Sequence, residues 1–101
     1  MKIKNLITRE LEETEKYIGI LKEEIEALPK GSIVTTKAKD NIYCYLKRRE
    51  GKKVISVYVG KDTDIETIKL GAEIKKRKKL EEDLLALEEE RDLMVKMLKV
   101  I

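Results

Sequence analysis

Ile42-Tyr43-Cys44-Tyr45-Leu46-Lys47 and Val54-Ile55-Ser56-Val57-Tyr58-Val59 are the two stretches whose reading decides the fold. Side chains alternate with period two in both, and β-branched and aromatic types are enriched, so each predicts a β-strand. Glu50-Gly51 between them predicts a two-residue turn, although glutamate is not a preferred first residue for one. With that turn Leu46 faces Ile55, Cys44 faces Val57 and Ile42 faces Val59, giving one uniformly apolar face. The opposite face carries Tyr43, Tyr45, Lys47, Arg49, Lys52, Val54, Ser56 and Tyr58. Upstream, Ser32-Ile33-Val34-Thr35-Thr36-Lys37-Ala38 predicts a third strand at the edge, turning through Lys39-Asp40-Asn41.

Working outward, the period changes on both sides. Ile7, Leu11, Thr14, Ile18, Leu21, Ile25 and Leu28 are spaced alternately four and three residues apart, a heptad seam on a helix. Pro29 disfavours helix at the residue before it, and Gly31 releases the chain, so this helix ends near Leu28. On the other side, Thr63 followed by Glu66 has the spacing of a capping box that opens a second helix. Its seam is Leu80, Leu84, Leu87, Arg91, Met94, Leu98 and Ile101, with the same alternation. Pairing residues whose numbers sum to 105 sets Leu11 beside Met94, Ile18 beside Leu87, Leu21 beside Leu84 and Ile25 beside Leu80. The two polar seam residues, Thr14 and Arg91, then fall at one level. Ile3 and Leu6 in one helix, and Leu93, Met97 and Val100 in the other, widen both stripes beyond what a two-helix seam needs. They predict a second copy or a partner helix. The apolar sheet face is expected to sit on Ile65, Ile68 and Ala72 of the final helix.

The fold expected is therefore α+β: an antiparallel two-helix coiled coil with an inserted three-stranded antiparallel sheet. One domain spans 1–101, with helix over 2–28, sheet over 32–60 and helix over 64–100. Composition agrees with thin cores of this kind, since the 101 residues are 43% charged and hold four tyrosines but no tryptophan or phenylalanine. The net charge of +3 conceals a division. Residues 29–61 hold nine basic and two acidic side chains, whereas each flank holds two more acids than bases.

The residue inventory narrows the chemistry. With no histidine, Ser-His-Asp and Cys-His pairs and His-bearing zinc sites are excluded. Cys44 is the one cysteine, so it forms no intramolecular disulfide, and its parity places it on the buried face, where a thiol is inert. Glu81-Glu82-Asp83 and Glu88-Glu89-Glu90 point in successive directions around a helix and cannot converge on one ion. The five glycines are isolated, so there is no phosphate loop. No enzyme activity, cofactor, metal or small-molecule substrate is expected, no membrane segment is apparent, and a reducing, cytoplasmic location is expected.

Tyrosines beside lysine and arginine on an exposed strand pair offer rings for stacking and charges for phosphates. The residues expected to make contact are Tyr43, Tyr45, Lys47, Arg49, Lys52 and Tyr58, with Lys75, Lys76, Arg77, Lys78 and Lys79 as a basic flank. Exposed strands also carry Tyr and Lys without any ligand, Lys on an edge strand suppresses aggregation, and the basic run can balance Glu23, Glu24 and Glu26. Nucleic acid, a protein partner and a dimerisation scaffold all remain open at this point.

Leu28-Pro29-Lys30-Gly31-Ser32, Tyr43-Cys44-Tyr45, Gly51-Lys52-Lys53-Val54 and Tyr58-Val59-Gly60-Lys61 resemble a recurring segment of small proteins from Gram-positive bacteria, their phages and mobile elements. There a tyrosine-rich hairpin lies between coiled-coil helices. Three strands followed by a helix is also similar to the arm-site DNA-binding domain of tyrosine integrases, although the leading helix here is extra and the sheet has no tryptophan. The resemblance implies a mobile-element setting, and with it a second reading: a stoichiometric inhibitor of a host defence nuclease, of the anti-CRISPR kind. The partners expected are thus nucleic acid or a nucleic-acid-binding protein, together with a second copy in a homodimer.

Overall fold

The computed structural model describes residues 2–101 and has the expected class and order of elements. Helix α1 runs over Lys2–Glu26, strands β1, β2 and β3 over Ser32–Ala38, Asn41–Glu50 and Lys53–Lys61, and helix α2 over Ile65–Val100. The strands form one antiparallel sheet with β2 in the centre. The chain divides into two compact units, one made of α1 and the residues from Lys79 onward, the other of residues 28–78.

In the helical unit the heptad positions are the covered ones, except Ile101, which lies past the end of α2 and is 49% exposed. Thr14, Ile18, Leu21 and Ile25 are buried on α1, with Ile7 and Leu11 half-buried. Leu80, Leu84, Leu87, Arg91, Met94 and Leu98 are half-buried on α2. Burial is deepest at Ile18 and Leu21, each 3% exposed, where β-branched and γ-branched side chains alternate along the seam. Removing such side chains from water is the main stabilising term for a thin two-helix unit, on the order of 2 kcal/mol for each one fully covered.

The sheet unit departs from the expected register. Leu46 pairs with Val57 and Glu50 with Lys53, so the turn is Gly51-Lys52 and not Glu50-Gly51. The reason is backbone sterics. Gly51 takes φ of 60° at the first central position of the turn, the arrangement of a type II′ hairpin, which a glutamate would adopt only at a cost. The pairing shifts by two residues as a result, which preserves face parity, because side chains alternate with that same period. A β-bulge lies between Cys44 and Tyr45: Tyr45 faces Tyr58 while Cys44 faces Gly60, leaving Val59 as the extra residue on β3. The first hairpin turns through Lys39-Asp40 alone, with Ala38 opposite Asn41 and Lys39 at φ 57°.

Three packing expectations are corrected. Asp64, not Thr63, caps α2: Ile68 N–H donates to the Asp64 carbonyl at 3.0 Å, and Asp64 Oδ2 accepts from the Lys61 N–H at 2.9 Å. The helix stripe turned toward the interior is Thr67, Ile74 and Arg77, all buried, and not Ile65, Ile68 and Ala72; Ile65 is 83% exposed. The cap and Gly60 together set this phase. A Cβ on Gly60 would lie 2.6 Å from Thr67 Oγ1 and 2.7 Å from Asp64 Oδ2, so the helix entrance is seated directly on glycine backbone. Finally, the apolar sheet face is covered unevenly. Cys44 is buried and Ile42, Leu46, Ile55 and Val59 are half-buried, but Val57 stays 45% exposed.

Candidate nucleic-acid interface

Register determines which side chains share a face, because directly opposed residues in an antiparallel pair point the same way. Val34 and Tyr58 both oppose Tyr45, Thr36 opposes Tyr43, Ser56 opposes Lys47 and Val54 opposes Arg49. Tyr43, Tyr45, Tyr58, Lys47, Arg49, Val34, Val54 and Ser56 therefore occupy one face, the one not occupied by Cys44.

The three phenol rings form a cluster. Tyr45 meets Tyr58 edge-on, with centroids 5.4 Å apart and planes at 63°, and Tyr43 lies 6.3 Å from Tyr58 at 48°. Tilted and edge-to-face contacts at these distances are attractive, since the positive ring edge meets a negative face. The bulge decides what borders the cluster: it sets Lys61, and not Gly60, opposite Tyr43. Tyr58 remains 52% exposed at the centre of the group. Its hydroxyl is nevertheless held above the ordinary phenol range, first by partial desolvation among its neighbours, then by the Asp64 carboxylate and by the charge that Tyr43, Tyr45 and Cys44 would carry on ionising.

Lys47 and Arg49 lie exposed beside the rings, Lys52 is exposed in the turn and Lys61 is exposed opposite Tyr43. Among the described residues none of these four cations has a carboxylate partner, whereas Arg48, on the other face, pairs with Glu50 at 3.2 Å. The face thus joins aromatic surface to unpaired positive charge.

The proposed basic flank does not assemble with it. Arg77 is buried and donates through Nη1 to the Leu28 carbonyl at 2.6 Å, so it is a structural residue and unavailable to a ligand. Lys75 and Lys78 border a cavity of about 400 Å³ on the Cys44 face, lined also by Ile33, Thr67 and Ile74. Lys79 pairs with Asp83 at 3.2 Å, and Lys76 is exposed. A second cleft, lined by Lys30, Gly31, Leu46, Arg48, Arg49 and Glu50, brings Lys30 beside Arg48 and the Glu50 carboxylate on the Cys44 side, so Lys30 does not extend the tyrosine face. Its signal in the sequence was the Pro29-Lys30-Gly31 link, whose route along β2 only the tertiary structure reveals. No group of acidic or cysteine side chains able to hold a metal ion occurs among the described residues, and no helix is long and apolar enough to cross a membrane.

The family model described as Domain of unknown function (DUF6788) matches residues 7–69. The chain belongs to the DUF6788 family. The DUF6788 match contains the whole sheet, including Tyr43, Tyr45 and Tyr58, and ends within the first turns of α2, before the lysine run. No curated protein and no solved structure matches the chain.

Proposed function

We propose that this DUF6788 protein is a non-catalytic module that binds nucleic acid through the tyrosine-bearing face of its sheet. The observation that carries the reading is the three-ring cluster bordered by Lys47, Arg49, Lys52 and Lys61, all exposed and, among the described residues, with side chains in no ion pair. An unpaired cation next to a phosphate releases condensed counterions, and this term supplies most of the affinity of a sequence-independent contact. The rings are tilted against one another, so they do not form a flat stacking platform. They present hydroxyls and ring edges suited to phosphate and sugar contacts, and Tyr58 is the ring most open to a base.

The test is binding of the intact chain to labelled duplex DNA, single-stranded DNA and RNA across a salt titration. Affinity should fall as salt rises, and replacing Lys47, Arg49 and Lys52 together by alanine should flatten the slope by roughly 2–3 units on the log–log plot. Lack of binding at low salt on all three ligands would overturn the reading.

A protein partner is the second reading, favoured by Val34 and Val54, which stay 42% and 53% exposed on the same face. Apolar side chains among tyrosine and arginine are the composition of an interface core. An inhibitor of a nuclease that handles nucleic acid, as in phage defence systems, would use such a face. Capture of a host protein that survives nuclease treatment and is lost in Tyr58→Ser supports this second reading over the first.

A further inference from the structure

The Cys44 face of the sheet is not closed by α2. A cavity of about 400 Å³ stays open there, within the range of roughly 300–1,000 Å³ in which small-molecule sites fall. All of it belongs to the unit of residues 28–78. Ile33, Cys44, Ile68 and Ile74 form its apolar wall, and Ile68 is 58% exposed, so the chain's own packing leaves apolar surface uncovered. Gly71 lines the same space, and a Cβ built on it meets no atom within 4 Å, so this glycine enlarges the cavity and seats no neighbour. Polar recognition falls to the ends, because the Thr67 hydroxyl is sealed against Gly60. Asp62 stands where the chain enters α2, and Lys75 and Lys78 border the cavity about three turns further on. Three residues apart on one helix, the two lysines lie on the same side and can reach one anion together. Both are exposed, and among the described residues neither is in an ion pair. From Thr67 to Lys75 the helix rises roughly 12 Å, the length of an extended chain of about ten carbons.

We propose that this cavity binds a free carboxylate carrying an unbranched apolar chain, with the tail against Ile33, Cys44, Ile68 and Ile74 and the head between Lys75 and Lys78. The tail covers apolar surface that water otherwise wets, which is the driving force for entry. The charges choose the head group and its direction. An anion gains from two unpaired lysines at one end and is repelled by the Asp62 carboxylate at the other. An ammonium head meets one carboxylate against two lysines. The site lies on the other side of the sheet from Tyr43, Tyr45 and Tyr58, so its test is independent of nucleic-acid binding.

Titration of the intact chain with decanoate below its micelle-forming concentration, followed by amide chemical shifts, tests this. Saturable one-to-one binding is expected, with the largest changes at Ile33, Cys44 and Gly71. Decyltrimethylammonium should bind about tenfold more weakly, and Lys75→Gln combined with Lys78→Gln should weaken decanoate by a similar factor. Gly71→Leu places a side chain in the cavity and should abolish binding, with a thermal melt to show that the variant is folded. The lysine variant, altered only at exposed positions, decides the matter should Gly71→Leu not fold. Absence of saturation overturns the proposal. So does equal binding of the ammonium, undiminished binding to the lysine variant, or undiminished binding to a folded Gly71→Leu chain.

Discussion

The Arg77 guanidinium donates to the Leu28 carbonyl oxygen across 2.6 Å, joining α2 to the link that follows α1. Pro29 prevents that link from continuing as helix, and carbonyls at a helix end need partners from elsewhere. A buried charge on a neutral acceptor is a strong bond that is costly to break. Arg77→Met keeps the stem and removes the donor. It should lower the unfolding free energy by about 2–3 kcal/mol in urea titrations. It should leave the salt dependence of nucleic-acid binding untouched, in contrast to the Lys47/Arg49/Lys52 variant. A stable Arg77→Met protein with a flattened salt response would mean that Arg77 contacts the ligand after all.

Two glycines should respond to alanine with opposite signs. Gly31 has φ of 122°, and a Cβ there would lie 2.7 Å from the Lys47 carbonyl oxygen and 2.8 Å from Leu46 Cδ1. Gly31→Ala is expected to cost about 2–3 kcal/mol through strain and overpacking. Gly71 is interior to α2 and a Cβ on it meets no atom within 4 Å. Gly71→Ala should stabilise by about 0.5–1 kcal/mol, since alanine loses less backbone entropy in a helix. Thermal melts of the two variants give both signs, and a stabilised Gly31→Ala would show that the link does not run against β2.

Stability should also report on the tyrosine cluster at high pH. The folded chain holds the Tyr58 proton more tightly than an unfolded one, so the contribution is complete below the ordinary phenol pKa of about 10 and is lost as pH rises beyond it. Wild type should therefore lose stability above about pH 10 more steeply than Tyr58→Phe. Asp64→Asn should fall between them, because that carboxylate is only the second cause of the shift. Parallel curves for wild type and Tyr58→Phe would remove the electrostatic coupling from the account.

Much of this was legible in the sequence because period is a strong signal. The alternation in residues 42–47 and 54–59 located the central hairpin, and the heptads located both helices, since each follows from geometry that a single chain must obey. The failures have a common origin in backbone preference and tertiary contact. Gly51 moved the turn by one residue because positive φ belongs at the first central position. The Cys44–Gly60 bulge leaves no mark in apolar patterning. Arg77 read as a contact residue of the basic flank while Ile65, Ile68 and Ala72 read as core, and the helix phase set where Asp64 caps α2 against Gly60 buries Arg77 with Thr67 and Ile74 instead. Parity survived the shifted turn because it moved the pairing by two residues, so the tyrosine face kept its hairpin residues except Lys52, now in the turn, and gained Lys61 from β3 and Val34 from β1.

Amide chemical-shift mapping of the intact chain, titrated with a short duplex at low salt, tests the central claim most directly. The tyrosine face is expected to respond first, with the largest changes at Tyr43, Tyr45, Lys47, Arg49 and Tyr58 and little at Ile33, Cys44 or the α1 seam. Changes confined to the helical unit or to the Cys44 face, with Tyr58 unmoved at saturation, would contradict it.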